Sequence, residues 1–270
     1  MKINWKNYVD HIYIITCTKY LDRVQELYNE LSRADVDVND KNFVTVVENI
    51  DTPFYDVLKK SFKYHKKHEN PKSLFISTLM HYYCMKLAVA HGYNKIVIME
   101  DDVRFLNNTE MIDDLLNKSS MIFTNNEKNI PRILLCNSTM YGPAFSNIED
   151  VSANPEIPFY YIEHFKYILR SSGCNIYNIP AMQYFIDFIE SFHFAPSDTY
   201  EQIYNQSVQI YCLTKPICLQ AEWYRIMYNT FADYNMIYPS DEVLEEIRKS
   251  KPFGYRDGEK IYESIIKYKK

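Results

Sequence analysis

The run Lys95-Ile-Val-Ile-Met-Glu-Asp-Asp-Val-Arg-Phe105 sets five residues of strand character directly against three consecutive carboxylates, Glu100, Asp101 and Asp102. Side chains alternate across a pleated strand, so the unbroken apolar stretch Ile96 to Met99 predicts a strand covered on both faces. Such strands belong to the interior of a parallel sheet with helices on either side. The three carboxylates are thereby brought to the rim of a hydrophobic core. Their mutual repulsion costs stability there unless something positive offsets it.

The preceding chain fits the same architecture. His11 to Cys17 is a short β-branched and aromatic run, and Leu21, Val24, Leu27, Tyr28 and Leu31 then recur at helical spacing. Asn42 to Val47 predicts the next strand, so the opening is β-α-β. The charged stretch Lys59 to Lys72 predicts a helix end and a loop. After it, Phe75, Ile76, Leu79, Met80, Tyr83, Leu87 and Ala90 fall on one helical face, and Gly92 supplies the stop. In the second half, Arg132 to Ser138 and Gly173 to Pro180 predict strands. Pro180 opens a helix over Ala181 to Phe192, and Pro196-Ser197-Asp198 predicts a short helix starting near Asp198. Two short strands, Gln209 to Leu213 and Pro216 to Gln220, precede a helix over Pro239 to Ser250. No internal repeat or linker is visible, and the expected organisation is one α/β domain over residues 1–220 with a helical extension, 221–270, packed on it.

Hydrophobic residues make up 47% of the 270, enough to exclude wholesale disorder. Thirty basic against 35 acidic residues give −5, and the only dense basic run is the final Lys267-Tyr-Lys-Lys, which argues against a nucleic-acid partner. No stretch approaches the roughly 18 uninterrupted apolar residues of a membrane span, nor does the start read as a signal peptide, so a cytoplasmic protein is expected. The six cysteines are scattered without a C-x-x-C pair, and reduced buried thiols fit them better than a zinc site built on Cys212 and Cys218.

In an open parallel sheet ligands bind outside the carboxyl ends of the strands, which is where Glu100 to Asp102 are expected. A divalent cation, Mn2+ or Mg2+, relieves the repulsion among adjacent carboxylates and gains hard oxygen ligands. The alternative is a solvated turn in which Asp101 or Asp102 caps the next segment and Arg104 neutralises its neighbours. With five glycines the chain holds neither G-x-G-x-x-G nor G-x-x-x-x-G-K-[ST]. A phosphate-rich ligand therefore needs another counter-charge, and a carboxylate-held cation on a diphosphate supplies one, which points to a nucleotide-sugar.

Four ordered stretches resemble glycosyltransferase family 25, the lipopolysaccharide and collagen galactosyltransferase group of GT-A fold: His11 to Val24, Ser77 to Ala88, Ile96 to Phe105, and Cys174 to Phe185 followed by Ala195 to Tyr200. The hydrophobic-Glu-Asp-Asp-Val block matches closely, and Ala181 and Asp198 match the family's helix alanine and Pro-x-Asp aspartate. Met80 stands where the family has Ser, and His81 keeps its His. Ser73-Leu-Phe-Ile-Ser77 replaces the family's Gly-Glu-hydrophobic-Gly-Cys run, and the chain beyond Gln220 is unmatched.

The resemblance implies a Rossmann-like, mostly parallel central sheet flanked by helices, with a less regular C-terminal portion. It also implies a metal-dependent glycosyltransferase that moves a hexose, galactose or glucose, from a UDP-sugar to a hydroxyl of a glycan or protein acceptor, with inversion. Asp102 would hold Mn2+ or Mg2+ against the diphosphate, Asp101 would share the metal or the donor ribose, and Glu100 would support both. Thr16 and Arg23 would lie on the donor side, Asp198 would be the general base and His81 a further catalytic group. Each position also has a plainer reading: Asp198 as a helix N-cap, His81 as a satisfied boundary residue, Arg23 as the partner of Glu26. His65 and His68, among lysines, fit a solvated face. A second functional expectation is a catalytically silent GT-A module that binds nucleotide-sugar, glycan or a protein partner.

Overall fold

The computed structural model describes residues 3–16, 21–48, 63–64, 72–105, 109–124, 129–137, 139–141, 159–161, 168–170, 173–195, 197, 203–204, 207–213 and 217–220. After a single 3-10 turn at Trp5–Asn7 come β1 (His11–Thr16), α1 (Leu21–Arg33), β2 (Val44–Glu48), β3 (Lys63–Tyr64), α2 (Lys72–His91), β4 (Lys95–Glu100) and β5 (Val103–Phe105). They are followed by α3 (Thr109–Ser119), α4 (Met121–Thr124), β6 (Arg132–Leu135), β7 (Thr139–Tyr141), β8 (Phe159–Tyr161), β9 (Ile168–Arg170), β10 (Cys174–Asn178), α5 (Ile179–Glu190), β11 (His193–Phe194), β12 (Gln209–Leu213) and β13 (Cys218–Gln220).

Seven strands form the main sheet in the order β2-β1-β4-β10-β6-β12-β8. β1 is parallel to both β2 and β4, and β12 is parallel to β6, whereas β10 runs antiparallel to β4 and β6, and β8 antiparallel to β12. Five of the seven strands therefore point the same way, and the fold is α/β with a mostly parallel sheet, as the apolar strand pattern predicts.

Alternation along the strands builds two cores. Tyr13 and Ile15 of β1 and Ile96 and Ile98 of β4 pack with Ile76, Met80, Cys84, Met85 and Ala88 of α2 and with α5. Ile12, Ile14, Val97 and Met99 face the other way, onto Leu27 and Leu31 of α1 and Ile112, Leu115 and Leu116 of α3. Each fully buried aliphatic side chain contributes on the order of 1.5–3 kcal/mol of transfer free energy. α2 ends as the sequence implies: Gly92, at φ 75°, lets its own N–H reach Val89 O and the Tyr93 N–H reach Ala88 O, both at 3.1 Å. α5 starts at Asn178, whose Oδ1 accepts from Ala181 N and also from Arg132 N, so one side chain caps a helix and pins the start of β6.

Two expectations are corrected. Lys63–Tyr64 is a strand paired in parallel with His193–Phe194, not part of a helix end and loop. On α2, Tyr83 is 44% exposed and Ala90 is exposed, while Thr78, His81, Cys84, Met85 and Ala88 are buried. The buried arc is rotated because α2 is pressed between the sheet and α5, not laid on the sheet alone. Cys84, Cys136, Cys174, Cys212 and Cys218 are free and buried, as expected for reduced thiols. Cys17, His65, His68, Asp198 and the extension expected at 221–270 lie outside the described residues, as does the side chain of Arg23, whose backbone lies in the first turn of α1.

Candidate active site

From β1 the chain passes through α1 to β2 on one side, and from β2 it returns through α2 to β4 on the other side of β1. The carboxyl ends of β1 and β4 therefore flank a topological switch point, the crevice where open α/β sheets bind ligands. Ile15 is in register with Glu100, which places the last residue of β1, Thr16, beside the first residue after β4, Asp101. Thr16 Oγ1 donates to Asp101 Oδ2 at 3.3 Å, and both residues are buried.

The acidic triplet does not converge. Glu100, continuing the face of Ile96 and Ile98, turns toward α2, where its Oε1 lies 3.1 Å from His81 Nε2 and 3.5 Å from Ser77 Oγ. Asp101 goes to Thr16, and Asp102 occupies the β4–β5 turn. Splitting the carboxylates between neighbours of opposite character lowers the cost of placing three of them in sequence. Glu100 is thus a strut between β4 and α2, and its amide is tied to Gly173 O at 2.7 Å.

The turn is also held from below. Glu30 Oε2 accepts from Phe105 N at 3.1 Å, Arg33 Nη2 donates to Phe105 O, and Arg33 pairs with Glu30 at 2.6 Å. β5 pairs antiparallel with β13, which brings Cys218 under the turn. Cys136, Cys174 and Cys218 are buried, and Cys136 Sγ donates to Leu134 O at 3.8 Å. The Cys136 and Cys218 thiols draw the Cys174 thiol below its ordinary range, and burial, with the Cys174 thiol next to it, pushes Cys218 up.

Thr78, one turn before His81 on α2, makes two bonds that sequence reading missed. Its hydroxyl donates to Ala195 O at 3.4 Å and accepts from Ser197 N at 2.9 Å. The segment entering Asp198 is thereby fastened to the helix that carries His81. A threonine inside an apolar helix face was the available signal.

Asp101 and Asp102 suit a hard cation in donor type. Among the described residues no three His, Cys, Asp or Glu side chains gather as a metal site. Two carboxylates are nonetheless a sufficient protein share for an ion that takes its remaining oxygens from phosphates and water.

No protein-family model matches the chain, and no curated protein matches it. Solved structures it matches include the mannosyltransferase PcManGT from Pyrobaculum calidifontis in complex with GDP-Man and Mn2+, at 10% identity over 96% of this chain and 68% of that one, TM-score 0.36. Another is mouse xyloside xylosyltransferase 1 in its apo form, at 12% identity over 64% of this chain and 68% of that one, TM-score 0.30. Scores this low do not carry an assignment.

Proposed function

We propose that this chain is a metal-dependent glycosyltransferase that moves a hexose, galactose or glucose, from a UDP-sugar to a hydroxyl of a glycan or protein acceptor. The observation that carries the reading is the Thr16–Asp101 hydrogen bond at the switch point, with Asp102 next in the turn. It puts Asp101, with Asp102 next to it in the chain, where a parallel sheet presents ligands, on a chain without a glycine cradle for phosphate. Asp102 and Asp101 would hold Mn2+ or Mg2+. When bound, the ion offsets the negative charge that accumulates on a departing nucleoside diphosphate.

The chain's own residues do the rest. Thr16 orients Asp101, and Glu100, through His81 and Ser77, fixes the end of β4 against α2. Asp198, which follows Ser197 on the segment fastened by Thr78, takes the proton of the acceptor hydroxyl. In the same displacement that oxygen bonds to the anomeric carbon, the bond from that carbon to the diphosphate oxygen breaks, and the sugar inverts. Arg23, in the first turn of α1, would reach toward the donor's phosphates or uracil edge. Among the described residues no helix is long and apolar enough to cross a membrane.

The test is UDP release from UDP-galactose or UDP-glucose in the presence of Mn2+. Release that disappears in Asp102→Ala supports the enzyme. UDP-sugar binding with no turnover on any acceptor, or on water, supports instead a silent binding module of the same fold.

A further inference from the structure

Asn137 is buried, at 2% exposure, and neither its Oδ1 nor its Nδ2 has a hydrogen-bond partner among the described residues. Buried carboxamides almost always satisfy both atoms, because an unmet donor or acceptor forfeits its hydration without return. Leaving both unmet at one residue calls for a cause. Its place in the fold suggests one.

Asn137 stands at the same sheet edge as the acidic turn. Glu100 N donates to Gly173 O at 2.7 Å, Cys136 N donates to Cys174 O at 3.1 Å, and Ile217 N donates to Cys136 O at 3.0 Å. The first residues of β10 are thus stitched between the end of β4 and the end of β6. Asp101 and Asn137 each follow one of those ends, two strand spacings or about 10 Å apart. In the alternation of β6, Ile133 and Leu135 face the core of α2 and α5, and Asn137 is the next position of that series. His81 stands on this side too, 1% exposed, with Nε2 committed to Glu100 and Nδ1 lacking a partner among the described residues.

The chemistry of the ligand follows from the unmet atoms. A carboxamide offers an acceptor and two donors in one plane, so its complement must both give and receive a proton. Phosphate only accepts and leaves Oδ1 unmet, a cation only receives lone pairs and leaves Nδ2 unmet, and an apolar group serves neither. Adjacent hydroxyls of a pyranose serve both. We propose that Asn137 binds the hexose of the sugar nucleotide through neighbouring hydroxyls, the donor passing around the sheet edge at the start of β10 so that the sugar lies on the α2 face and the diphosphate at Asp101 and Asp102. This rests on the glycosyltransferase reading above and extends it to the sugar. Both amide atoms are closed to solvent without ligand, so the sugar displaces what covers them and gains hydrogen bonds that the free protein lacks.

Calorimetric titration of the full chain with UDP and with UDP-galactose or UDP-glucose, each with Mn2+, tests the assignment. In Asn137→Ala the affinity for the UDP-hexose should fall about tenfold or more while that for UDP stays within about twofold of wild type, the loss expected for deleted hydrogen bonds to a neutral hydroxyl. Asn137→Ser, smaller but still polar, should lie between, and it serves if Asn137→Ala does not fold. The best-bound UDP-hexose lacking one ring hydroxyl should discriminate against wild type and not against Asn137→Ala. Equal losses for UDP and UDP-hexose, or none for either, overturn the proposal while leaving the glycosyltransferase reading intact. Absence of UDP binding by the wild-type chain overturns that reading and this proposal with it.

Discussion

Thr16 and Asp101 meet at 3.3 Å although 85 residues separate them in the chain, and their hydrogen bond closes the crevice between β1 and β4 on its inner side. A hydroxyl-to-carboxylate bond of this kind removes one rotational freedom from Asp101 and holds its carboxylate at the carboxyl end of the sheet.

Thr16→Val keeps the shape and the β-branched preference of the strand and deletes the donor. The carboxylate then loses a charge-assisted bond worth about 1.5–3 kcal/mol if it stays buried. The expected outcome is UDP–Mn2+ affinity reduced about tenfold, with a melting temperature lowered by only a few degrees. Calorimetric titration beside a thermal melt checks it; unchanged affinity would remove Asp101 from the binding crevice.

Asp102 and Asp198 are assigned different duties and should fail differently. Asp102→Asn should abolish the Mn2+-dependent rise in melting temperature with UDP, since binding to the native state is what raises it. Asp198→Asn should retain that rise and lose about 10²- to 10⁴-fold in turnover, the range for a removed general base. Melting curves with and without UDP, run next to a UDP-release assay, separate the two. Loss of the melting response in Asp198→Asn would move that residue from proton transfer to donor binding.

Much of this architecture was legible because its signals are local. The apolar run Ile96 to Met99, the helical spacing of Leu27 and Leu31, the left-handed stop at Gly92 and the proline next to the Asn178 cap each act within a few residues. What stayed hidden depends on distant partners. Strand direction is not encoded in hydrophobic alternation, so β10 read correctly as a strand without its antiparallel course being visible. The divergence of Glu100 and Asp101 follows from simple alternation, but their partners His81 and Thr16 come from other elements. Tyr83 and Ala90 share a helical spacing with Phe75 and Ile76 yet are exposed, because an apolar helix next to two surfaces has no single apolar face. Asn137 read as the polar end of a strand, and only its unmet burial sets it apart.

The His81–Glu100 contact, at 3.1 Å between a fully buried ring and a partly buried carboxylate, should behave as one unit in stability. Removing Glu100 leaves the imidazole buried without its partner, and removing His81 leaves a cavity beside a carboxylate. Glu100→Ala and His81→Ala should each cost about 2–4 kcal/mol. The double variant should fall short of their sum by about 1–2 kcal/mol, as interacting pairs do. Urea titrations of the four proteins measure the coupling, and strict additivity would show that the strut between β4 and α2 is not energetically joined.

His11 supplies a pH dependence whose sign can be worked out. The ring is buried at the start of β1, stacked on Tyr93 at 4.7 Å and 10°, with Nε2 at 2.9 Å from Thr45 Oγ1. Tyr13 and Phe43 flank it as well. Burial holds the imidazole below its ordinary value of 6.5 and His91 adds to this, against weaker opposing effects from the backbone of Asn42 and from Asp40. As pH falls below about 6.5 the unfolded chain takes up a proton that the folded chain refuses, so unfolding is favoured. The stability conferred by the neutral ring is complete above that pH and is lost as pH falls toward the folded-state pKa, at about 1.4 kcal/mol for each pH unit between the two values. His11→Phe keeps an aromatic in the stack and cannot titrate. Urea midpoints at pH 7.5, 6 and 5 should fall more steeply for wild type than for His11→Phe, and parallel curves would mean that the buried ring is protonated as readily folded as unfolded.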